Sequence, residues 1–454
     1  MHPWIGSSDG VNLGVVSRWV TPGLIGEVLA ECGQRDRRPG ALPKRLVVTL
    51  TLALALYGQD SYEDVLANLA AGVAGLEAGS GPNKSNVTRA RARLGPAVME
   101  RLYRRLAGPV APAGQAGSFY RGMRLGAVDG YLPELAETAG NRGFFGGSSD
   151  GRGTACGFPM ARLVTLTETG THAQCDARIG GFHGGESDLA LGMAPSAAGM
   201  LVLMDRLYPR VALFRAYAGA GAHLLVRARD SVARDVQQVL ADGTYLAWMY
   251  ESGYSGRGSR AGHGALVRVV EYDVDGGEAI RLLTDLHDPG RYPAAELAAL
   301  YRERWEAEAA GRQIKTFQCG ARRQLRSGDP ALVQRELWAH LAVHHALSAL
   351  ITHLAVHNGI DPDRISFVKV LKEARRSVLT QDTDTPVKIR RYLARLTADA
   401  LRLLDNGARR LRQAPRTLKQ PRTTKYSRRP NTRTPGPHTR RVPPRTITLI
   451  PILA

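Results

Sequence analysis

The chain has 454 residues, a length that sets a prior of about three domains, and 44% of them are hydrophobic, enough to bury a core and to exclude wholesale disorder. Sixty-one Lys and Arg against 41 Asp and Glu leave a formal charge of +20, which points to a polyanionic partner. Leu46 to Tyr57, the longest apolar run, falls short of the ~20 residues of a bilayer span, Met1 to Asn12 lacks a secretory pattern, and the four scattered cysteines form no Cys-x-x-Cys pair, so a cytoplasmic protein without membrane helix, disulfide framework or structural zinc is expected.

In chain order, apolar spacing near 3.6 predicts helices over Pro43 to Tyr57, Ser61 to Ala71 and Asn83 to Leu106, with Asp60 or Ser61 and Ser85 as N-caps. This makes residues 1–110 a helical N-terminal unit, in which Lys84, Arg89, Arg91 and Arg93 could lie on DNA or form a solvated helix face. From residue 120 the pattern turns to short β-rich runs: Met123 to Asp129, Arg162 to Glu168 and Thr171 to Ile179, the last two forming a hairpin around Thr169-Gly170. A helix from Glu186 to Met193, a buried strand Met200 to Met204, a helix Pro209 to Ala218 and a strand Ala222 to Arg227 follow. The order β-β-β-α-β-α-β suits an α/β fold, a mixed sheet covered by helices on both faces. Gly243 to Trp248, Ala265 to Asp273 and Ala279 to Asp285 read as a β-rich insertion at about 230–290 within a core spanning 120–325. Helices resume over Pro293 to Phe317, Pro330 to His357, Asp361 to Ser377 and Thr385 to Leu404, the last three making a C-terminal helical region, 326–405. The segment 406–454 holds 13 Lys and Arg and no acid, so most of the charge excess sits there, among prolines and without apolar periodicity. Its apolar end, Ile447 to Leu453, either docks or frays.

The chemistry-bearing residues begin with one helical face. At about 100° per residue Tyr301, Arg304, Glu308 and Lys315 share an arc of about 60°, whereas Glu303 and Glu306 project from the far side, which makes Glu308 the carboxylate of interest. Alone, the face also suits an ordinary ion-pair stripe worth ~0.3–0.5 kcal/mol per pair, although Tyr-x2-Arg-x3-Glu-x6-Lys should arise by chance only about once in a thousand such sequences. Asp129 ends the first strand in Ala-Val-Asp-Gly and Asp205 ends the buried strand. Each alone is commonly a turn former or cap. Together with Glu308 they can hold two divalent metals about 3.5–4 Å apart, with oxygen donors pointing to Mg²⁺. His340, His344, His345, His353 and His357 read as packing and surface positions of one long helix, and Cys156 and Cys175 as buried thiols.

These residues resemble a DDE transposase of the insertion-sequence-four family, whose catalytic domain is ribonuclease-H-like. The family's Tyr-Arg-Glu-Lys signature is met by Tyr301, Arg304, Glu308 and Lys315, and similar stretches run from Ser85 to Gly95 (SNVTRARARLG), Asp129 to Asn141, Gly157 to Thr171, Met200 to Tyr208, Arg281 to Lys315, Leu325 to Ser327 and Asp361 to Phe367. Tyr131, where a small Thr is common, and Leu207, in place of a Gly, depart from the pattern. The resemblance implies Asp129, Asp205 and Glu308 as catalytic acids and ligands of two Mg²⁺ ions, with Mn²⁺ able to substitute. It further implies DNA partners (terminal inverted repeats and target DNA), a homodimer in the DNA complex, and cut-and-paste transposition through nicking, hairpin formation and strand transfer. Tyr301, Arg304 and Lys315 would clamp phosphates, and Trp305 would stack an extruded base or sit in the core. A metal-dependent nuclease on the same core, or a decayed DNA-binding protein, are the alternatives.

Overall fold

A computed structural model describes Trp4 and residues 10–36, 42–77, 79, 81–150, 152–228, 232, 235–251, 260–320, 324–405 and 446–451. Five helices open the chain: α1 (Pro22–Glu31), α2 (Lys44–Leu56), α3 (Tyr62–Ala71), α4 (Lys84–Arg93) and α5 (Val98–Leu106). Helix α3 starts at the predicted Ser61, in a capping box: the Ser61 hydroxyl accepts from the Asp64 N–H at 3.0 Å while the Asp64 carboxylate accepts from the Ser61 N–H at 3.3 Å. The helix predicted over Asn83 to Leu106 is instead two, because Pro96 has no N–H to continue the ladder and Leu94 turns out into extended geometry. Its cap is Asn83, which accepts from the Asn86 N–H at 2.8 Å, rather than Ser85.

The central strands and helices follow the predicted order: β1 (Met123–Tyr131), α6 (Ala139–Phe145), β2 (Ala161–Glu168), β3 (Gln174–Gly181), α7 (Glu186–Leu191), β4 (Met200–Met204), α8 (Val211–Gly219) and β5 (His223–Ala228). Sequence periodicity did not reveal α6, a Gly-rich turn-and-a-half capped by Thr138. β1, β2 and β3 form an antiparallel meander, and β4 pairs parallel with both β1 and β5, giving the spatial order β3-β2-β1-β4-β5. That order is the ribonuclease-H-like arrangement. The β-rich stretch that follows, β6 (Asp235–Val239), β7 (Tyr245–Tyr250), β8 (Gly264–Val274) and β9 (Ile280–Thr284), extends this same sheet. β9 lies antiparallel against β5 with Thr284 opposite Leu225, and β8, β7 and β6 continue outward in that order.

The helix predicted over Pro293 to Phe317 is four helical segments in series. Helix α9 (Ala294–Leu300), with Pro293 at its N-cap, runs through a 3₁₀ turn, Tyr301–Arg304, into α10 (Trp305–Arg312) and then a π-helical turn, Gln313–Gln318. Helix α11 (Pro330–His357) has the predicted bounds, opened by Asp329 accepting from the Ala331 and Leu332 N–H groups. It is long and apolar enough to cross a membrane by length and composition, but 89% of its most apolar window is buried inside the protein, as in a core helix. Helices α12 (Phe367–Leu379) and α13 (Pro386–Ala398) follow, and strand β10 (Ile447–Leu449) pairs antiparallel with the end of β8, Tyr272 opposite Leu449. The Ile447–Leu449 part of the apolar end therefore docks on the sheet.

Period-two alternation explains how the sheet is buried on both faces. Leu125 and Ala127 of β1 and Leu201 and Leu203 of β4 pack with Leu297, Ala298 and Ala307 of α9 and α10. Val128, Met200, Val202 and Met204 point the other way, against Val211, Phe214 and Tyr217 of α8. A third core joins α1–α5 to α11, α12 and α13, so the N-terminal and C-terminal helices share one apolar interior.

Candidate active site

Strand parity places the first two acids. Asp129 has the parity of Leu125 and Ala127, and Asp205, directly after β4, that of Leu201 and Leu203, so both carboxylates leave the sheet on the face covered by α9 and α10. β1 and β4 are adjacent and parallel, with Ala127 beside Leu203, which brings their C-terminal ends together. Tyr301 fixes the helix over those ends: its hydroxyl donates to the Met204 carbonyl, next to Asp205, at 3.1 Å. One turn on, buried Arg304 donates to the Glu308 carboxylate at 2.8 Å and lies over the Trp305 ring, 5.0 Å from its centroid.

The electrostatics report the convergence of the three acids. Asp129 is pushed up to about 7, first by burial and next by the Glu308 charge, with Asp205 adding to it and the Arg304 guanidinium and Gly130 N–H opposing. Among the described residues one trio of ligand atoms lies wholly within 4.8 Å, and it is His172, Glu306 and Asp363. Asp129, Asp205 and Glu308 do not form such a trio. A partly buried set of mutually repelling carboxylate oxygens, with one guanidinium between them, is a donor set that fits hard divalent cations.

The other predicted residues separate. Trp305 is 37% exposed and so is not a core residue, and the Arg304 guanidinium covers part of its ring. Lys315, displaced by the π turn, is exposed beside a cavity of about 200 Å³ that it lines with Tyr131, Glu134, Cys319 and His340. Lys84 and Arg89 are exposed on α4, Lys84 over the Tyr62 ring and Arg89 bonded to Asn86 at 2.7 Å. Arg91 is only 1% exposed and donates to the Tyr62 hydroxyl at 2.7 Å, so this member of the basic run is structural. The basic run 406–445 lies outside the described residues. Cys175 is buried as expected, but Cys156 is exposed, because its strand, Ala155–Pro159, belongs to a two-stranded ribbon apart from the main sheet.

A fourth acid was missed. Glu186, the first residue of α7, lies so close to Gly130 that a Cβ there would stand 2.8 Å from its carboxyl carbon. Arg162 donates to Glu186 at 2.5 Å and the Tyr208 hydroxyl at 3.2 Å. Burial, and then the charges of Glu186, Asp129 and Asp205, hold Tyr208 firmly protonated. The available sequence signal was the glycine after Asp129, a position where a close approach excludes any side chain.

Known proteins resemble this chain over most of its length. Residues 10–104 match the family described as Insertion element 4 transposase N-terminal, and residues 142–345 match Transposase DDE domain. Transposase InsG for insertion sequence element IS4 of Escherichia coli (strain K12) is 28% identical over 376 residues, covering 82% of this chain and 84% of the relative. Putative transposase InsZ of the same organism is 27% identical over 156 residues, 34% of this chain and 52% of the relative. A cryo-EM structure of a piggyBac transposase synaptic complex with hairpin DNA aligns over 87% of this chain and 85% of its own with a TM-score of 0.44 and 11% identity. Two matched regions in the same order as in a transposase, and a relative aligned along four fifths of the chain, lead to one conclusion: the chain belongs to the insertion-sequence-four family of DDE transposases.

Proposed function

We propose that this transposase excises and reinserts its element by cut-and-paste chemistry, with Asp129, Asp205 and Glu308 holding two Mg²⁺ ions, for which Mn²⁺ can substitute. The observation that carries this reading is the charge convergence at Asp129, a carboxyl raised first by burial and then by the Glu308 and Asp205 charges, which bound cations would return to its ionised form. Bound to these acids, the two ions would supply the Lewis-acid charge that an in-line phosphodiester displacement requires. The chain's own residues do the rest. Arg304, fixed on Glu308, presents a planar donor to a non-bridging phosphate oxygen, while Lys315 adds a point charge further along the strand. Tyr301, tied to β4, keeps the acid-bearing helix at the strand ends. Glu186, through Arg162 and Tyr208, acts as a positioning residue that buttresses the end of β1 beside Asp129.

In the proposed sequence water first breaks one strand at the element's end, leaving a 3′-hydroxyl. That hydroxyl attacks the opposite strand to close a hairpin, the hairpin is opened, and the 3′-end is joined to target DNA. A hairpin needs a sharply bent strand with an unstacked base, and the exposed Trp305 face can stack such a base for ~1–3 kcal/mol. The N-terminal helices, within residues 1–110, are assigned to holding the terminal repeat through Lys84 and Arg89, with two copies of the chain pairing the two ends. Incubating the full chain with terminal-repeat DNA and Mg²⁺ tests this reading. Nicked, hairpin and strand-transfer products are expected in that order. Cutting without joining would replace the transposase reading with a nuclease, and no nick at all would leave a DNA-binding protein.

A further inference from the structure

On the side of α10 opposite Glu308, a second group of ligating side chains comes together. His172 sits at the tip of the β2–β3 hairpin, held at φ +60°, outside the usual range for a side-chain-bearing residue. Its Nε2 is 2.6 Å from the carboxylate of buried Glu306 on α10. Asp363, in the 3₁₀ turn Pro362–Arg364 between α11 and α12, completes the trio, and one ligand atom from each residue lies within 4.8 Å of the others. His172 and Asp363 line a cavity of about 110 Å³ together with Arg312, Gln313 and Phe367, and Glu306 lies behind His172.

A layer of further hydrogen bonds surrounds the trio. The Gln313 amide meets His172 Nδ1 at 2.9 Å with one atom and His344 Nε2 at 2.9 Å with the other. His344 is fully buried, and its Nδ1 has no hydrogen-bond partner. With the amide NH₂ on His172, the proton of His172 resides on Nε2 and is donated to Glu306. With the amide reversed, its oxygen accepts from Nδ1–H, the Nε2 lone pair is released toward Glu306 and Asp363, and the NH₂ serves His344 instead. The same four side chains thus satisfy both a hydrogen-bonded and a metal-bound state, and the second is the usual arrangement behind a ligating imidazole, its other nitrogen donating to a fixed oxygen.

We propose that His172, Glu306 and Asp363 form a Zn²⁺ site, separate from the catalytic acids, that staples the acid-bearing helix to the C-terminal helices. One imidazole and two carboxylates favour Zn²⁺ over Mg²⁺, because nitrogen suits the softer ion, and a water would fill the fourth position. The ligands come from three elements distant in sequence, so the bound ion would fix α10 from behind while Glu308 works in front.

The test is Zn²⁺ binding by the metal-stripped full chain, followed by isothermal titration and, with Co²⁺ as a probe, by visible absorption. Wild type is expected to take up one equivalent of Zn²⁺, unchanged in Asp129→Ala. His172→Ala and Asp363→Asn should each weaken it at least about tenfold, with folding checked by circular dichroism. Zn²⁺ should raise the melting temperature of wild type and leave that of Asp363→Asn unmoved. No Zn²⁺ uptake by wild type, or uptake unaffected by Asp363→Asn in a folded protein, would overturn the proposal. The His172–Glu306 contact would then be a simple hydrogen bond, with the catalytic reading untouched.

Discussion

Gly130 shows how much a single position can constrain. Any Cβ there would collide with the Glu186 carboxyl carbon, so Gly130→Ala must push Glu186 off Arg162 and Tyr208 or bend the end of β1 that carries Asp129. The expected cost in stability is only about 1–3 kcal/mol, as for other overpacking changes. The expected cost in DNA cleavage is larger, about 100-fold, because misplacing a ligand by an ångström penalises the reaction more than the fold. Single-turnover cleavage beside a thermal melt separates the two. Trp305→Ala should slow hairpin closure by about 5- to 100-fold, the equivalent of losing one base stack, while leaving the first nick near wild type. Equal losses at both steps would assign Trp305 to packing. Among single residues, the Arg304–Glu308 pair was legible because both lie on one helix face. Glu186 and the burial of Arg91 were not, since both depend on neighbours about 30 to 56 residues away that no periodicity encodes.

At the scale of elements, α11 carries a testable load. His340, His344 and His345 are all buried, and desolvation lowers them to about 4, about 3 and about 4 respectively. Their folded values lie below the ordinary 6.5, so the unfolded chain binds protons that the folded one refuses. Stability is therefore full above about pH 6.5 and is lost as pH falls toward 4, by up to about 1.4 kcal/mol per pH unit for each histidine. Denaturant unfolding between pH 7.5 and 5 should show this slope, and His345→Gln should flatten it by about one histidine's share. A slope unchanged by that substitution would mean that His345 is not held neutral. Strands such as Met200–Met204 were readable because an unbroken apolar run buried on both faces has few other uses. The segment was read as one regular helix, and its passage from 3₁₀ to α to π turns was hidden because these differ by one residue in the span of each backbone hydrogen bond, not by side-chain pattern. That passage moves Lys315 along the site relative to an ideal helical wheel.

Across the whole molecule, fold and charge divide the work. The sheet continues from the ribonuclease-H-like strands through β9, β8, β7 and β6, and β10 returns the chain end to β8, so the far side of the sheet is tied to the C-terminus. Sequence separated the insertion from the core because Gly-rich turns bound it. Only the β5–β9 pairing, a long-range contact, shows the sheet to be continuous. The charge is concentrated elsewhere: every one of the 13 Lys and Arg after Asp405 lies between Arg409 and Arg445. Should this segment and its neighbours meet 6–10 phosphates, DNA affinity would fall about 10³–10⁵-fold between 50 and 200 mM salt. Replacing those Lys and Arg by Gln, with Ile447–Leu449 left intact, should flatten the salt dependence, and an unchanged slope would place the DNA contacts in the folded body.

The shared-site claim is most directly measured by Mg²⁺-dependent cleavage of terminal-repeat DNA with Asp129→Ala, Asp205→Ala, Glu308→Ala and the Asp129/Glu308 double variant. Acting as one unit, each single change should cost at least about 100-fold, and the double variant should lose no more than the worse single. Wild-type cleavage in any one of the three single variants, at the same Mg²⁺ concentration, would contradict a common metal site.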